Sequence, residues 1–253
     1  MKTAVIISKK DQAGINIYEF LKDLENVYLV EEESIYCDDI DKKIKADNFI
    51  FATKHQSVSG KPCLLVHIPG NWDKAELGGR NRTLCRSSGY LKDAFLLLKR
   101  LNKDKKYEVS VEAVHHGPFL EKPVMFIELG SSKEEWDDKD AAKIIANVIK
   151  EVLKKSVKRY KTVIVLGGGH YNVVSNKILE RTEYDISYIC PKHYLEVLDE
   201  EMLKQVLEKS HNKVEMFVLD YKGLGNSKKK VIDLLNKMKL KYVKSSEILT
   251  TYE

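Results

Sequence analysis

Long apolar runs are missing from these 253 residues. None approaches the ~20 that a membrane-crossing helix requires. The opening MKTAVIISKKDQAG reads as a short strand, since the apolar stretch of a secretion signal is longer. A cytoplasmic protein with no membrane partner is the expectation. Cysteine is scarce and scattered: Cys37, Cys63, Cys85 and Cys190 form no CxxC pair. That argues against a disulfide framework or a cysteine-based zinc site, and for reduced, buried thiols. Arginine is scarce too, with six among 43 cationic residues. The remaining Lys, with abundant Glu, resembles the hyperthermophile bias. No HExxH or GxSxG motif occurs, no repeat of fixed period appears, and no low-complexity linker divides the chain.

What is present describes a globular chain long enough to bury a real core. Hydrophobic residues make up 43%, and charge is interspersed at 32%, a composition unlike that of disordered chains. The net charge of +5 is compatible with a polyanionic partner without demanding one.

Strands and helices alternate along the chain. Strand patterns cover Thr3–Ser8, Val27–Val30, Asn48–Ala52, Pro62–His67, Thr162–Leu166, Tyr184–Ile189 and Val214–Leu219. Helical periodicity covers 13–24, 89–102, a long stretch from Lys133 to about Ser156, the segment after Tyr171, 198–209, and a last helix from about Gly225 to Lys239. The acidic segment 31–41 reads as a loop around a brief strand, and 73–88 as irregular. Residues 107–132, YEVSVEAVHHGPFLEKPVMFIELGSS, read as a hairpin. Its connection is too short for a parallel crossover. The fold class expected is α/β, a three-layer α/β/α arrangement around a mixed central sheet. A single domain spanning 1–253 is expected, with residues from about 160 onward packed on the same sheet.

The chemistry gathers at strand ends. His55, His67, His115, His116, His170 and His193 all lie at or within a few residues of one, and only His211 sits elsewhere. In open α/β sheets ligands bind at the carboxyl ends of strands, so these positions point to a catalytic cleft. Imidazole and carboxylate near a buried strand end suit acid–base or metal-assisted hydrolysis. With no local ligand motif, a metal would be held by histidines on separate strands, His55, His67, His115 and His170. Zinc is the ion favoured by imidazole and carboxylate. His116, His115 and Glu128 are the catalytic candidates, with two geometric conditions. On a regular strand His115 and His116 point to opposite faces, so both serve one site only if the strand breaks there. In a hairpin, Glu128 would pair near Val111 and sit roughly 16 Å from His116 at ~3.3 Å per residue, which makes it support for the site.

The Gly167-Gly168-Gly169 turn follows a strand and precedes a helix. Its amides offer a place for a phosphate or an oxyanion, although glycines there also permit tight strand–helix packing. Arg80, Arg82 and Arg86 cluster in the irregular loop and are candidates for RNA phosphates. Tyr90, Tyr171 and Trp72 are candidates for stacking on a terminal base. Ser57, Ser59 and Ser131 are weak nucleophile candidates, none lying in a strained elbow.

Taken together, His55…Ser57, VHIPGNW, VEAVHHGP, FIELGSS…W and GGGHY resemble the archaeal and plant type of D-aminoacyl-tRNA deacylase. The matching elements span residues 53–171, and the chain length fits the family. One departure is Asn172-Val173 after GGGHY, where the family pattern has Ala-Pro. That bears on local loop shape. The resemblance implies hydrolysis of the ester joining a D-amino acid to the 3′-terminal adenosine of tRNA, with zinc as cofactor. It also implies a phosphorylase/hydrolase-like fold related to bacterial peptidyl-tRNA hydrolase, and recycling of mischarged tRNA as the role. The partner expected is the acceptor end of D-aminoacyl-tRNA, met by a monomer. Water would be activated by zinc or by His116 as general base. Against this stand a zinc peptidase or amidohydrolase, a nucleoside phosphorylase-like enzyme, and a non-catalytic RNA-binding protein.

Overall fold

β-branched and aromatic residues build two sheets. In the computed structural model, which describes residues 2–58, 60–113 and 115–251, the first has six strands in the order β2-β1-β3-β6-β4-β5. These are β1 (Thr3–Ser8), β2 (Val27–Val30), β3 (Asn48–Lys54), β4 (Cys63–His67), β5 (Glu108–Val111) and β6 (Val124–Gly130). β2, β1, β3 and β6 run parallel. β4 runs antiparallel to β6 and parallel to β5. The sheet is mixed, as expected, but 107–132 is not a hairpin. β4 lies between β5 and β6. The reason is burial: every residue of β6 is buried, so it is a central strand needing a neighbour on each edge, and β3 and β4 supply them.

The second sheet is wholly parallel, in the order β10-β9-β7-β8. It contains β7 (Lys161–Leu166), β8 (Tyr184–Cys190), β9 (Val214–Leu219) and β10 (Tyr242–Lys244). The strands beyond 160 therefore form a sheet of their own instead of extending the first. β10 and the helix α9 (Ser245–Thr250) carry no strong period in so few residues. One apolar cluster nevertheless runs through both sheets, from Val5, Ile50 and Ile127 to Val163, Ile186 and Val218.

The helices between are α1 (Gln12–Tyr18), α2 (Ile40–Lys43), α3 (Leu91–Leu101), α4 (Lys133–Trp136), α5 (Lys139–Leu153), α6 (Val173–Arg181), α7 (Glu200–Lys209) and α8 (Lys228–Lys237). Where one long helix was expected from 133, there are two. The Asp138 carboxylate accepts from the Asp140 and Ala141 amides at 2.9 and 3.0 Å, capping a fresh helix. Segment 31–41 forms a 3-10 turn at Ser34–Tyr36 and runs into α2, with no strand. α1 stops at Tyr18, short of the expected 24. No helix among the described residues is long and apolar enough to cross a membrane. All four cysteines are buried and unpaired.

Alternation gives the six-stranded sheet two different faces. Ala52, Ile127, Val66 and Val111 face the large apolar cluster, which also holds buried residues of α1, α3 and α5. On the opposite face, register aligns Thr53, Glu128, Leu65 and Ser110 in one row across β3, β6, β4 and β5. The next row is Phe51, Phe126 and His67, with Phe126 stacked on both neighbours at ring distances of 4.7 and 4.9 Å. The apolar part of this face packs against Cys37, Ile40, Cys85, Phe119 and Leu120, contributed by loops and the short α2. That leaves room for a polar site over the sheet.

Candidate active site

Period-2 alternation brings His55, Glu128 and His67 onto the loop-covered face. Glu112, immediately past the end of β5, joins them, its amide bonded to the Val66 carbonyl. Glu128 is the hub. Its Oε1 accepts from Thr53 Oγ1 at 3.0 Å and lies 3.3 Å from His67 Nε2. Its Oε2 takes His55 Nδ1 at 3.1 Å. The His55 Nε2 is 2.8 Å from the Tyr171 hydroxyl, so the ring bridges Tyr171 and Glu128. His55 is fixed further by Trp136 Nε1 donating to its carbonyl at 2.8 Å. Gly130 lies against it so closely that a Cβ there would fall 2.7 Å from that of His55, which explains the glycine of FIELGSS. Glu112 Oε1 is hydrogen-bonded to His170 Nε2, and its Oε2 is 3.5 Å from His55 Nδ1.

The strand does break before the double histidine. β5 ends at Val111, and His116 pairs with Gly70 by an isolated bridge. Gly117 then passes against Gly78 and Gly79, where any Cβ would collide with backbone 2.3 Å away. His115 and His116 consequently line one cavity of about 470 Å³ with His55, Glu112, Glu128 and His170. The His116 Nδ1 is 2.6 Å from the Gly117 carbonyl, which can only accept. The proton of the neutral ring is thus on Nδ1 and the lone pair on Nε2. Its ring stands edge-on to His67, with centroids 5.0 Å apart.

The electrostatics follow from burial and proximity. Burial alone would raise the Glu128 carboxyl, but the His67 and His55 imidazoles beside it hold it well below the usual carboxylate range. Burial, the largest influence, would raise Glu112 as well, but the His170 bond and the His67 and His170 charges together lower it. His170 is raised, chiefly by that same bond. For His55, burial opposes charge, yet Glu128 and Glu112 raise it overall. Burial pushes His116 the other way, down to about 4, so it is a neutral base at ordinary pH.

These donors fit a divalent cation. His67, His116 and Glu128 offer ligand atoms within 4.8 Å of one another, and so do His55, Glu112 and Glu128. His67 is 0% exposed, yet neither of its ring nitrogens has a hydrogen-bond partner, and Glu112 Oε2 has none. Buried groups left so cost ~1–3 kcal/mol each. Ligation by imidazole and carboxylate, a set suited to zinc, relieves that cost.

The sequence-predicted residues divide accordingly. Of the four expected ligands, His55 and His67 fall in these donor groups, though in different ones. His170 is engaged by Glu112, and His115 lies beside it at a ring distance of 5.8 Å. Glu128 is not remote support: the separation of roughly 16 Å inferred from the hairpin disappears with the hairpin itself. Glu112 was missed, although it carries the signal that marked Glu128, a carboxylate in an otherwise apolar run. His193 is exposed on a 3-10 turn.

Two of the three glycine amides are already used. Gly167 N–H donates to Cys190 O at 2.8 Å and Gly168 N–H to Gly223 O at 3.2 Å, with both glycines at positive φ. These two serve tight packing, and Gly169 stays exposed. Arg80 pairs with Asp39 at 3.0 Å and covers the Phe119 ring. Arg82 pairs with Asp199 at 2.6 Å, and Arg86 donates to Glu208 O at 3.1 Å. Arg82 and Arg86 thus fasten the loop to α7 and its N-cap. Trp72 and Tyr90 are buried in the core and offer no face to a base, whereas Tyr171 is half-buried at the site. Ser131 donates to Lys61 O at 2.7 Å, away from any histidine, and Ser57 bonds Tyr171. Ser59 lies outside the described residues.

An α/β fold carrying a buried histidine–carboxylate centre, open to a cavity and equipped for acid–base and metal chemistry, defines the protein as an enzyme of the hydrolytic kind. Residues 42–243 match the family model of D-aminoacyl-tRNA deacylase. A D-aminoacyl-tRNA deacylase of Pyrococcus furiosus is 37% identical over 240 residues, covering 91% of this chain and 87% of the relative. One of Methanocaldococcus jannaschii is 33% identical, covering 92% and 95%. Among solved structures, the crystal structure of "conserved protein of unknown function AF0625" superposes with a TM-score of 0.92 at 26% identity, covering 100% of this chain and 98% of the other. The chain belongs to the D-aminoacyl-tRNA deacylase family.

Proposed function

We propose that the protein hydrolyses the ester between a D-amino acid and the 3′-terminal ribose of tRNA, releasing free D-amino acid and tRNA. The observation that carries this reading is the family match over 42–243, and the Glu128-centred cluster gives it a mechanism. The acceptor end enters the cavity lined by His55, His115, His116 and His170, and the protein works as a monomer in this reading. The continuous core across both sheets supports one domain. The substrate is a cytoplasmic molecule.

Zinc is the cofactor we assign, held by His67, His116 and Glu128, with His55 and Glu112 beside it. When bound, zinc supplies a Lewis acid for the ester carbonyl and lowers the pKa of water. The protein's own groups do the rest. The Gly117 carbonyl holds the His116 proton on Nδ1, which leaves the Nε2 lone pair as the donor atom for the metal. Glu128, fixed as a carboxylate, keeps the proton of His55 on Nδ1, so that Nε2 accepts from Tyr171 and the hydroxyl is held in place. His170, raised by the bond of its Nε2 to Glu112 and partly exposed at the cavity, offers Nδ1, when protonated, as the donor to a departing ribose oxygen.

Purified protein is expected to release D-tyrosine from D-Tyr-tRNA without inorganic phosphate and to leave small peptides uncut. Failure on the tRNA ester would overturn the reading. Need for phosphate would point to the phosphorylase-like enzyme, and peptide cleavage to the peptidase. Elemental analysis should find zinc, and chelators should remove activity that zinc restores. Full activity in metal-free protein would rule out the cofactor.

A further inference from the structure

The positive charge of this chain is not spread evenly. Residues 220–244 hold eight lysines against two aspartates, a surplus larger than the net +5 of the whole protein. Three of these lysines collect at the carboxyl end of the parallel sheet. Lys228 Nζ lies 4.1 Å and Lys244 Nζ 4.8 Å from the centroid of the Tyr221 ring, and Lys222 is next to Tyr221 in the chain. Among the described residues, no ion pair links Lys228, Lys244 or Lys222 to a carboxylate, although exposed lysines elsewhere, such as Lys106 and Lys161, have one. Two ammonium groups held over one ring repel each other, and the arrangement is complementary to an anion with more than one charge. The half-buried tyrosine between them supplies a flat face.

Position gives the cluster a role. The turn after β9 folds onto the turn after β7: Gly168 N–H donates to Gly223 O at 3.2 Å, and a Cβ at Gly167 would meet Gly223 at 3.1 Å. Tyr221 is two residues from that contact on one side, and His170 of the candidate site is two residues from it on the other. At ~3.3–3.6 Å per residue, two steps on each side of the 3.2 Å hydrogen bond bring the two backbones within about 18 Å. At ~3.4 Å per nucleotide of a stacked strand, that reach corresponds to a few nucleotides.

We infer that Tyr221, Lys228 and Lys244, with Lys222, form a docking site for the RNA backbone of the substrate, a few nucleotides inward from the esterified end. This rests on the deacylase reading above. The lysines neutralise phosphodiesters, and the Tyr221 ring holds their ammonium groups in place. The contact is independent of sequence, as suits a protein that must accept many tRNAs.

The test is the full-length Lys228→Gln/Lys244→Gln variant. It should raise KM for D-aminoacyl-tRNA, and Kd for uncharged tRNA, by about tenfold near physiological salt, with kcat little changed. Loss of two phosphate contacts should make the log–log salt dependence of binding shallower by about 1.4, at ~0.7 per contact with a single strand. Turnover of a D-aminoacyl-adenosine ester, which has no phosphate, should match wild type and also shows that the variant is folded. Equal KM, Kd and salt slope in variant and wild type would overturn the inference. If wild type binds tRNA, the variant binds it more weakly, and neither hydrolyses the ester, the docking site stands and the deacylase reading falls.

Discussion

Among the described residues, two clusters join buried histidine to carboxylate, and one of them is an active-site candidate. The first is the Glu128 centre. The second joins Asp185 on β8 to His211 after α7, with Asp185 Oδ2 and His211 Nε2 3.5 Å apart. His211 Nδ1 there faces the Ser87 and Ser187 hydroxyls at 3.4 Å each, an assembly that on a list of residue types resembles a hydrolytic triad. The difference lies in what the unsatisfied atoms face. In the second cluster the two orphans, Asp185 Oδ2 and His211 Nε2, face each other. Burial raises Asp185 to about 7 and lowers His211 to about 4, so near neutrality one shared proton satisfies both. In the first cluster His67 has two orphan nitrogens and Glu112 an orphan oxygen, beside a cavity of about 470 Å³. A proton shared with Glu128 across 3.3 Å can satisfy His67 Nε2, but His67 Nδ1 then has no internal partner, and a cation is the partner that a buried imidazole nitrogen accepts.

The largest effect that would break this distinction concerns His116 and Glu128. His116→Ala and Glu128→Gln are each expected to lower kcat/KM for D-aminoacyl-tRNA by about 10²-fold or more, through loss of an assigned metal ligand and, for Glu128, of the group that orients His55 and His67, with circular dichroism unchanged. A folded variant at wild-type rate would remove that residue from the site. Next comes Gly130→Ala, whose Cβ would press on His55. Activity should fall about tenfold or more through misplacement alone, while Gly169→Ala, at a position with nothing within 4 Å, should be silent.

Asp185→Asn examines the sealed cluster. Deacylation should stay within twofold of wild type, and the change should appear in stability. An acid whose folded pKa is raised to about 7 from an ordinary ~3.9 contributes stability below pH 4 that is lost as pH rises to 7. The surrounding Lys92 and Asp93 act on it in opposite directions. Relative to wild type, the Asn variant should therefore gain stability between pH 4 and 7, read from denaturant midpoints at each pH. A large loss of kcat would instead make the second cluster part of the enzyme. The smallest effect belongs to Asp138, a carboxylate outside both clusters that is held down to about 2, where bonds from Lys106, Ala141 and Tyr107 outweigh burial. Asp138→Ala should cost about 1 kcal/mol as a lost helix cap. Its stabilising contribution, full above pH 4, should disappear as pH falls towards 2.

The strand patterns at Thr3–Ser8, Val27–Val30 and Val214–Leu219 were legible because short runs rich in β-branched and apolar residues favour extended backbone, and these coincide with β1, β2 and β9. The long helix from Lys133 failed at Asp138 because capping by a single carboxylate outweighed a continuous period. The hairpin failed for a different reason. Which strand fills the gap between β5 and β6 is a question of sheet order, and local pattern contains no information on it. Glu128 was misjudged through that one error, since distance along a supposed hairpin was taken for distance in space, whereas Glu112 was passed over separately although the hairpin itself would have set it beside Glu128.

By itself, the sequence determined the α/β class, the buried thiols, the crowding of histidines at strand ends and the family, because each is written in residue type and short spacing. Only the tertiary structure decided that β4 inserts between β5 and β6, that Glu128 is the hub of the site, and that His211 belongs to a sealed pair. The physical reason is that a carboxylate becomes a ligand, a base or a silent core group according to what stands within about 4 Å of it. For Glu128 those neighbours are Thr53, His55 and His67, more than 60 residues away along the chain.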